Sequence, residues 1–284
     1  MIRTSIWTSL IALAVTSLPL GAAGADSSGA DKLGWKLALQ SWTVHQTVAQ
    51  SIDIARQIGV RYIEIYPGQP LSPDDKGKFA PEMTAEQIRT VLATAKSAGV
   101  EIIDCGVIGI PAKEADARKL FGWAKKMGIT TLVAEPDPKA LPLIDKLAGE
   151  YGINVAIHDH PKPSRYWDPD YAYSVIKDFP HVGFCADVGH WKRSGLDPVA
   201  ILKKYGAKVF SLHFKDLVAG GGSKGLHDAP WGTGENHAAE MLCVLKEKGF
   251  KGPVAIEYEW KWDVPTLQAC VNFFYDQANK LAAK

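Results

Sequence analysis

The chain has 284 residues, 46% of them hydrophobic, and its 32 basic and 31 acidic residues give a formal net charge of +1. This even charge balance argues against a nucleic-acid-binding or membrane-surface protein, because both classes need a concentrated basic patch. The hydrophobic content and nine tryptophans are enough for a sizeable core, in one large domain or two small ones. The four cysteines lie far apart and lack metal-ligand spacing, although disulfide pairing in an exported protein stays open.

The first 25 residues have the pattern of a secretory signal peptide. Arg3 precedes a short apolar run, and small residues lead up to Asp26. The run is too short, and too often interrupted by Ser, Thr and Pro, to span a membrane comfortably. We therefore expect cleavage after Ala25, no membrane insertion after processing, and a periplasmic or secreted protein. Residues 26–35, which are mostly small or polar, are expected to form an N-terminal tail.

From residue 36 onward, apolar strand patterns alternate with helical patterns, several of which end in Gly. Strands are expected at residues 36–42, 61–67, 101–109, 130–136, 154–161, 182–190, 209–216 and 253–260. Strands separated by helices pair in parallel through crossovers, and eight such units match a (β/α)8 TIM barrel. We therefore predict an α/β fold with one barrel domain over residues 36–284.

An open, doubly wound parallel sheet is the alternative to a barrel. Such sheets usually have about six strands and a glycine-rich turn after the first strand. The sequence QSWTVHQ, residues 40–46, has no glycine at that place. The barrel is therefore the favoured architecture.

Ionisable side chains stand at the ends of the fourth to eighth predicted strands, where barrels of this kind carry their active sites. They are Glu135, His158, His160, Asp187, His190, His213, Lys215, Glu257 and Glu259. Carboxylates and imidazoles that converge on one point need a positive charge among them, and a divalent metal would provide it. Mixed nitrogen and oxygen ligands suit Mn, Zn, Co or Fe better than Ca. Any one of these residues alone could equally be an ordinary core or surface residue.

The strand-end motifs resemble those of the sugar phosphate isomerase/epimerase superfamily, the xylose isomerase-like TIM barrels. The resemblance covers about residues 36–280 and is carried by AIHDHP, CADVGHWKRSG, SLHFKD, WGTGENH and VAIEYE. It implies one divalent metal held by residues after the fifth to eighth strands. Asp187, His213 and Glu257 match the last three of those positions, and His190 matches a position that contacts substrate hydroxyls.

The first metal position departs from the family pattern. Family epimerases carry a Glu where this chain has His158. Either His158 is itself a ligand, or Glu135 on the neighbouring strand supplies the missing carboxylate. The departure also removes one of the two glutamates that epimerases use to shuttle a proton, which puts a two-base epimerisation in doubt.

The resemblance implies removal of a proton from a carbon next to a carbonyl, with the metal stabilising the resulting enediolate. The expected function is therefore that of a metal-dependent isomerase or epimerase acting on a sugar or keto-sugar. The catalytic candidates are Glu257, Glu135, His160, His190 and Lys215. The first four can carry a proton, and Lys215 can place a charge on a substrate oxygen.

Two other functions stay open. A lyase or dehydratase would expel a β-substituent from a keto-sugar or 3-keto-glycoside, and the histidines at 158 and 160 favour this because an imidazolium can protonate a leaving oxygen. A non-catalytic exported sugar-binding barrel is the second alternative. A metal-dependent endonuclease for abasic DNA is disfavoured by the charge balance and by the export signal.

The expected partner is a small-molecule sugar or keto-sugar, with no nucleic acid; a homo-oligomer is possible. The substrate-binding candidates are His190, Trp191, Lys215, Trp231, Tyr66 and Trp42, of which the aromatic residues could stack on a sugar ring. The glycine-rich segment 217–237 is long for a connection between strand and helix. It predicts either a mobile lid over the substrate or a disordered solvent loop.

Overall fold

The computed structural model of the protein describes residues 26–220 and 225–284. The predicted signal peptide, residues 1–25, lies outside the described residues. Within the two described ranges, no helix has both the length and the apolar character needed to cross a membrane.

Eight parallel strands form a closed barrel, as predicted. They are β1 (Lys36–Gln40), β2 (Tyr62–Ile65), β3 (Glu101–Cys105), β4 (Thr131–Ala134), β5 (Asn154–His158), β6 (Val182–Asp187), β7 (Val209–Phe214) and β10 (Pro253–Ile256). Consecutive strands are neighbours, and β10 closes the barrel by pairing with β1. A separate antiparallel hairpin follows β7 and consists of β8 (Asp216–Ala219) and β9 (Leu226–Ala229).

Helices follow the barrel strands and cover the outside of the barrel. They are α2 (Val48–Gln57), α3 (Ala85–Ala98), α4 (Glu114–Met127), α5 (Leu141–Tyr151), α6 (Pro169–Ile176), α7 (Val188–Arg193), α8 (Pro198–Tyr205), α9 (Ala238–Glu247) and α10 (Val264–Ala282). Helices α2 and α3 begin at capping boxes formed by Thr47 with Gln50 and by Thr84 with Gln87. Helix α3 ends at Gly99, whose φ of 69° is left-handed and therefore favours glycine.

The strands are buried on both faces. Their outward residues pack with the helices in one continuous hydrophobic core, in which Phe121 and Phe274 are fully buried. Two small clusters fill the inside of the barrel, one of which contains Ala38, Ile103 and Ala255. Full burial of one large apolar side chain contributes about 1.5–3 kcal/mol, so this layer is the main source of stability.

The segment predicted to be an N-terminal tail instead contains a helix, α1 (Ser28–Leu33), which packs on α10. The backbone N–H of Gly29 donates to Oδ1 of Asn279 at 2.7 Å, and Trp35 Nε1 donates to the carbonyl of Phe250 at 3.0 Å. Trp35 is buried. The prediction of a tail was wrong because buried Ala30 and Trp35 supply an apolar contact that the small, polar composition concealed.

The sixth strand is shorter than predicted. It ends at Asp187, and residues 188–193 form α7 rather than a continuation of the strand. The cause is local, because Asp187 caps this helix by accepting a hydrogen bond from the N–H of His190. In the described part of the chain the four cysteines are free thiols.

Candidate metal centre and active-site cavity

Four buried side chains converge where the C-terminal ends of β5, β6, β7 and β10 meet. They are His158, Asp187, His213 and Glu257, and one potential ligand atom from each lies within 4.8 Å of the others. We call this group the four-residue cluster. It contains two imidazoles and two carboxylates, and sequence analysis predicted all four as metal ligands.

His158 is held on both sides by carboxylates. Its Nε2 lies 3.6 Å from Oδ2 of Asp187, and its Nδ1 lies 2.9 Å from Oε1 of Glu135. Burial alone would lower the pKa of His158, but the two carboxylates raise it overall.

Glu135 lies outside the four-residue cluster. Its Oε1 contacts Nδ1 of both His158 and His160, and these three residues form a second, less buried group. Burial favours the neutral carboxyl, but the hydrogen bonds from the two imidazoles outweigh it and lower the pKa. Of the two ways of completing the first metal position, the structure therefore places His158 in the cluster, with the ionised Glu135 behind it.

Asp187 is fixed by its position between β6 and α7. Its Oδ1 accepts from the N–H of His190 at 2.7 Å, and its Oδ2 accepts from Nζ of Lys215 at 2.7 Å. The buried Asp159, which directly follows β5, accepts from the N–H of Asp187 at 3.0 Å and so holds the same backbone from the other side. Burial opposes ionisation of Asp187, but the ammonium of Lys215 and the hydrogen bond from His158 keep its pKa well below the usual range.

His213 is held by a residue that sequence analysis missed. Glu64, in β2, is fully buried, and both of its carboxylate oxygens lie 3.1 Å from Nε2 of His213. The sequence does contain a signal, because a single glutamate stands between two isoleucines in an apolar strand. Glu64 stands in the middle of the predicted strand 61–67, whereas the other candidate site residues stand at or beyond strand ends.

Lys215 places a buried ammonium group among the carboxylates. Its Nζ lies 2.7 Å from Oε2 of Glu257 and 3.1 Å from Oε2 of Glu259, besides the bond to Asp187. These carboxylates raise the pKa of Lys215 despite its burial, while His213 and Lys215 lower that of Glu257 despite its burial. Helix α7 passes close to the lysine stem, because a Cβ on Gly189 would lie 2.6 Å from Cδ of Lys215.

The four-residue cluster fits a divalent metal. Nδ1 of His213 is buried and has no hydrogen-bond partner among the described residues; Oε2 of Glu257, which lies 3.1 Å from it, is instead paired with Nζ of Lys215 at 2.7 Å. Buried polar atoms are rarely left unsatisfied, and a cation bound to this nitrogen would satisfy it. Two imidazole nitrogens and two carboxylate oxygens suit zinc, manganese, iron or cobalt better than calcium.

A cavity of about 340 Å³ opens above the cluster at the C-terminal end of the barrel. Its wall includes seven of the predicted site residues, namely Trp42, Tyr66, His158, His160, His190, His213 and Glu257. The rings of Trp42 and Tyr66 meet edge to face with centroids 5.2 Å apart, and Trp42 is 42% exposed. This pair therefore presents apolar surface to a ligand in the cavity.

The structure does not bring Trp191 and Trp231 to the cavity. Trp191 is 1% exposed, because the chain beyond Asp187 is helical and turns this residue into the core. Trp231 is 3% exposed and packs edge to face on Phe214 with centroids 4.7 Å apart. Aromatic residues that pack and aromatic residues that bind sugar look alike in the sequence.

His190 lies on the cavity wall in a neutral state. Burial lowers its pKa far below the ordinary value, against the opposing charge of Asp187. Its Nδ1 accepts from Arg193 at 3.3 Å, and its Nε2 lies 3.4 Å from Oδ2 of Asp187. Since Arg193 occupies its lone pair, His190 suits donation of a hydrogen bond better than removal of a proton.

The predicted lid segment, residues 217–237, includes most of the β8–β9 hairpin and a tightly fixed turn. Asp216 accepts hydrogen bonds from the backbone N–H groups of Gly232, Gly234 and Asn236 at 2.9–3.1 Å. On the cavity side, Arg193 pairs with Asp228 at 3.1 Å. The segment is thus ordered at its base, whereas residues 221–224 lie outside the described ranges.

The chain matches the xylose isomerase-like TIM barrel family model over residues 139–276. No curated protein matches the chain. A solved structure of an uncharacterised protein from Parabacteroides distasonis is 30% identical, with a TM-score of 0.69, and the alignment covers 85% of this chain and 98% of that one.

Two more distant structures share the fold. A xylose isomerase-like TIM barrel protein from Mycobacterium smegmatis in complex with magnesium is 15% identical, with a TM-score of 0.70 and coverage of 88% and 99%. A D-tagatose 3-epimerase-like protein is 17% identical, with a TM-score of 0.65 and coverage of 87% and 98%. At these identities the similarity concerns the fold alone.

Proposed function

We propose that this chain, which belongs to the xylose isomerase-like TIM barrel family, is a divalent-metal-dependent enzyme that removes a proton next to the carbonyl of a sugar or keto-sugar. The observation that carries the proposal is the four-residue cluster at the base of the cavity. His158, Asp187, His213 and Glu257 would hold the metal. A divalent cation there supplies stabilisation of the negative oxygen charge that develops as the proton leaves.

His160 is the group best placed to move the proton. Its side chain is half-exposed and lines the cavity, while its Nδ1 contacts Glu135. The ionised Glu135 holds that ring nitrogen and leaves Nε2 for the substrate, which is the arrangement of an acid–base histidine oriented by a carboxylate. Glu135 therefore orients the ring and does not itself carry the proton.

The substrate class follows from the charges on the cavity wall. Among the described lining residues there is no lysine or arginine, and the two nearby cations, Lys215 and Arg193, are already paired with carboxylates. Phosphate recognition needs available cations or backbone donors. An unphosphorylated sugar fits better, with Trp42 and Tyr66 covering the apolar face of its ring.

A β-eliminating lyase is the second candidate function. One observation favours it, namely that His158 stands where epimerases have one of their two glutamates and that a second histidine, His160, lies beside it on the cavity wall. A half-exposed imidazolium at position 160 can protonate a departing glycosidic oxygen, which a carboxylate at neutral pH does less well.

The metal content of the purified protein tests the proposal. We expect about one transition metal per chain in the wild type, none in Asp187→Ala or His213→Ala, and a normal content in the surface variant His181→Ala. If the wild type neither contains nor takes up manganese, zinc or cobalt, the proposal fails and a sugar-binding barrel becomes the better description.

Isotope exchange separates the remaining functions. Incubation of keto-sugars in deuterated water should give deuterium incorporation for an isomerase or epimerase, and enone absorbance for a lyase. A binding protein would gain heat stability from a sugar without either signal.

A further inference from the structure

The two imidazoles of the four-residue cluster are each backed by a carboxylate that lies outside it. For His158 this is Glu135, on Nδ1, and for His213 it is Glu64, on Nε2. The two rings therefore present opposite nitrogens to the cluster, Nε2 from His158 and Nδ1 from His213. Which nitrogen faces inward is set in each case by the carboxylate behind the ring.

Glu64 has no other hydrogen-bond partner among the described residues, and both of its oxygens face the same nitrogen at 3.1 Å. It comes from β2, which lies three strands from β7 around the closed barrel. Gly106 makes room for it, because a Cβ at that position would lie 2.9 Å from Oε1 of Glu64. A buried carboxylate aimed across the barrel at one imidazole nitrogen holds that nitrogen in its protonated form.

The other nitrogen of the same ring is the one left without a partner. Nδ1 of His213 is buried, makes no hydrogen bond within the described chain, and faces Oε2 of Glu257 at 3.1 Å, an oxygen that Nζ of Lys215 already contacts. Fixing the proton on Nε2 keeps a lone pair on Nδ1, where a metal would need it.

We propose that Glu64 is the positioning residue of the metal centre, fixing the His213 ring so that Nδ1 is the coordinating nitrogen. This inference rests on the proposed metal-dependent function. Carboxylates in this relation to a metal-bound histidine typically account for a 10–100-fold difference in metal affinity.

The neighbouring strand offers a matched control. Asp104 in β3 is the register partner of Glu64, is equally buried, and has both carboxylate oxygens without a hydrogen-bond partner within the described chain. Burial and the charge of Glu64 raise the pKa of Asp104 well above its usual range. Asp104→Asn therefore changes a carboxyl in the same layer of the barrel without altering what holds His213.

The experiment compares metal affinity and metal-free stability for the wild type, Glu64→Gln and Asp104→Asn. Each protein is stripped with chelator and titrated calorimetrically with Zn²⁺ and with Mn²⁺, and its metal-free melting temperature is recorded. We expect Glu64→Gln to raise the Kd about 10–100-fold while Asp104→Asn leaves it unchanged. A purely structural role would instead lower the metal-free melting temperature and leave the Kd of the folded protein unchanged, and would overturn the proposal.

A second measurement uses only the wild-type protein. In Zn²⁺-loaded wild type labelled with ¹⁵N-histidine, His213 should show a coordinated Nδ1 and a protonated Nε2, and His158 the reverse. Coordination of His213 through Nε2 would overturn the role of Glu64 while leaving the metal-dependent function intact. Absence of any metal binding by the wild type would overturn both.

Discussion

At the scale of single residues, the site divides into side chains that face the cavity and side chains that hold them. His160 faces the cavity and is half-exposed, whereas Lys215 is buried beneath it between Asp187 and Glu257. Mutation of His160 should therefore affect the reaction, whereas mutation of Lys215 should affect the stability of the fold.

His160→Gln should slow deuterium exchange into a keto-sugar substrate by about 10²–10⁴-fold, the usual contribution of one acid–base group. The metal content should stay at the wild-type level, because His160 lies outside the four-residue cluster. His181→Gln, on the exposed surface, is the control and should exchange at the wild-type rate. An undiminished rate in His160→Gln would assign the proton transfer to another group.

Lys215→Met should destabilise the metal-free protein by about 3–5 kcal/mol, because it leaves two buried carboxylates without their cation. Urea unfolding of the metal-free protein measures the loss, and Lys203→Met serves as control since its ion pair with Glu240 is exposed. Equal stabilities of the two variants would contradict the role assigned to Lys215.

Several site residues could be predicted from the sequence because they stand in phase at strand ends. Asp187, His213 and Glu257 are of this kind, and barrel geometry alone brings such positions together. Glu64 could not be found in the same way, since its partner is 149 residues away in sequence. The burial of Trp191 depends on helix α7 and that of Trp231 on a turn, and the hydrophobic periodicity of the sequence predicts neither element.

At the scale of elements, the β8–β9 hairpin is fixed at two places. Asp216 holds the turn that follows the hairpin through three backbone N–H groups, and Arg193 on α7 pairs with Asp228 on β9. The segment that sequence analysis treated as one lid thus has a firm base next to the cavity.

Asp216→Ala should lower the free energy of unfolding by about 3–5 kcal/mol, because three backbone donors lose a buried, charged acceptor at once. Asp263→Ala removes a single exposed acceptor at the N-terminus of α10 and should cost about 1 kcal/mol. Urea unfolding compares the two, and limited proteolysis should show faster cleavage within 217–237 in Asp216→Ala alone. Equal losses would mean that the turn is held by other contacts.

Asp228→Asn should reduce the pH dependence of stability. Burial raises the pKa of Asp228 from 3.8 to about 6, so between these values the folded protein keeps a proton that the unfolded chain has released. The free energy of unfolding therefore falls as pH rises from about 4 to 6, by about 3 kcal/mol at most. Because asparagine cannot ionise, Asp228→Asn should abolish this decrease in the free energy of unfolding.

Urea unfolding at pH 4, 5, 6 and 7 measures how the free energy of unfolding changes with pH in the wild type and in Asp228→Asn. Asp276→Asn, at an exposed position of α10, provides the comparison. Parallel curves for wild type and Asp228→Asn would show that this carboxyl titrates at its ordinary pKa.

The order of strands and helices could be predicted because strand and helix patterns alternate eight times along the chain and several of the helices end at a glycine. Helices α1 and α7 could not, since each has six residues, fewer than two helical turns, and an apolar period cannot repeat over that length. The short helix α7 depends on one hydrogen bond from the backbone of His190 to Asp187, a contact that a strand-like apolar pattern conceals.

At the scale of the whole molecule, the N-terminal helix α1 is part of the folded barrel domain. Asn279 of α10 accepts from Gly29 and donates to the carbonyl of Asp26, so the first described residues are tied to the last helix. The folded unit therefore extends to within a residue or two of the predicted cleavage point after Ala25.

Expression of the full chain in a bacterial host should give an exported protein that begins at Asp26. N-terminal sequencing and mass measurement of the exported fraction check this, and replacement of apolar residues 9–15 by serine and aspartate provides the blocked control. Recovery of unprocessed protein from the cytoplasm in both cases would contradict the proposed export.

The buried ammonium of Lys215 bears on how the proposed metal would be acquired. Because Asp187 and Glu257 already have a cation of the chain beside them, the unloaded site is charge-compensated, and we expect the barrel to fold without metal, unlike a zinc finger. With the proposed export and the proposed metal site together, the chain would cross the membrane unloaded and be metallated afterwards, so that the metal supply outside the cell would help to select the ion.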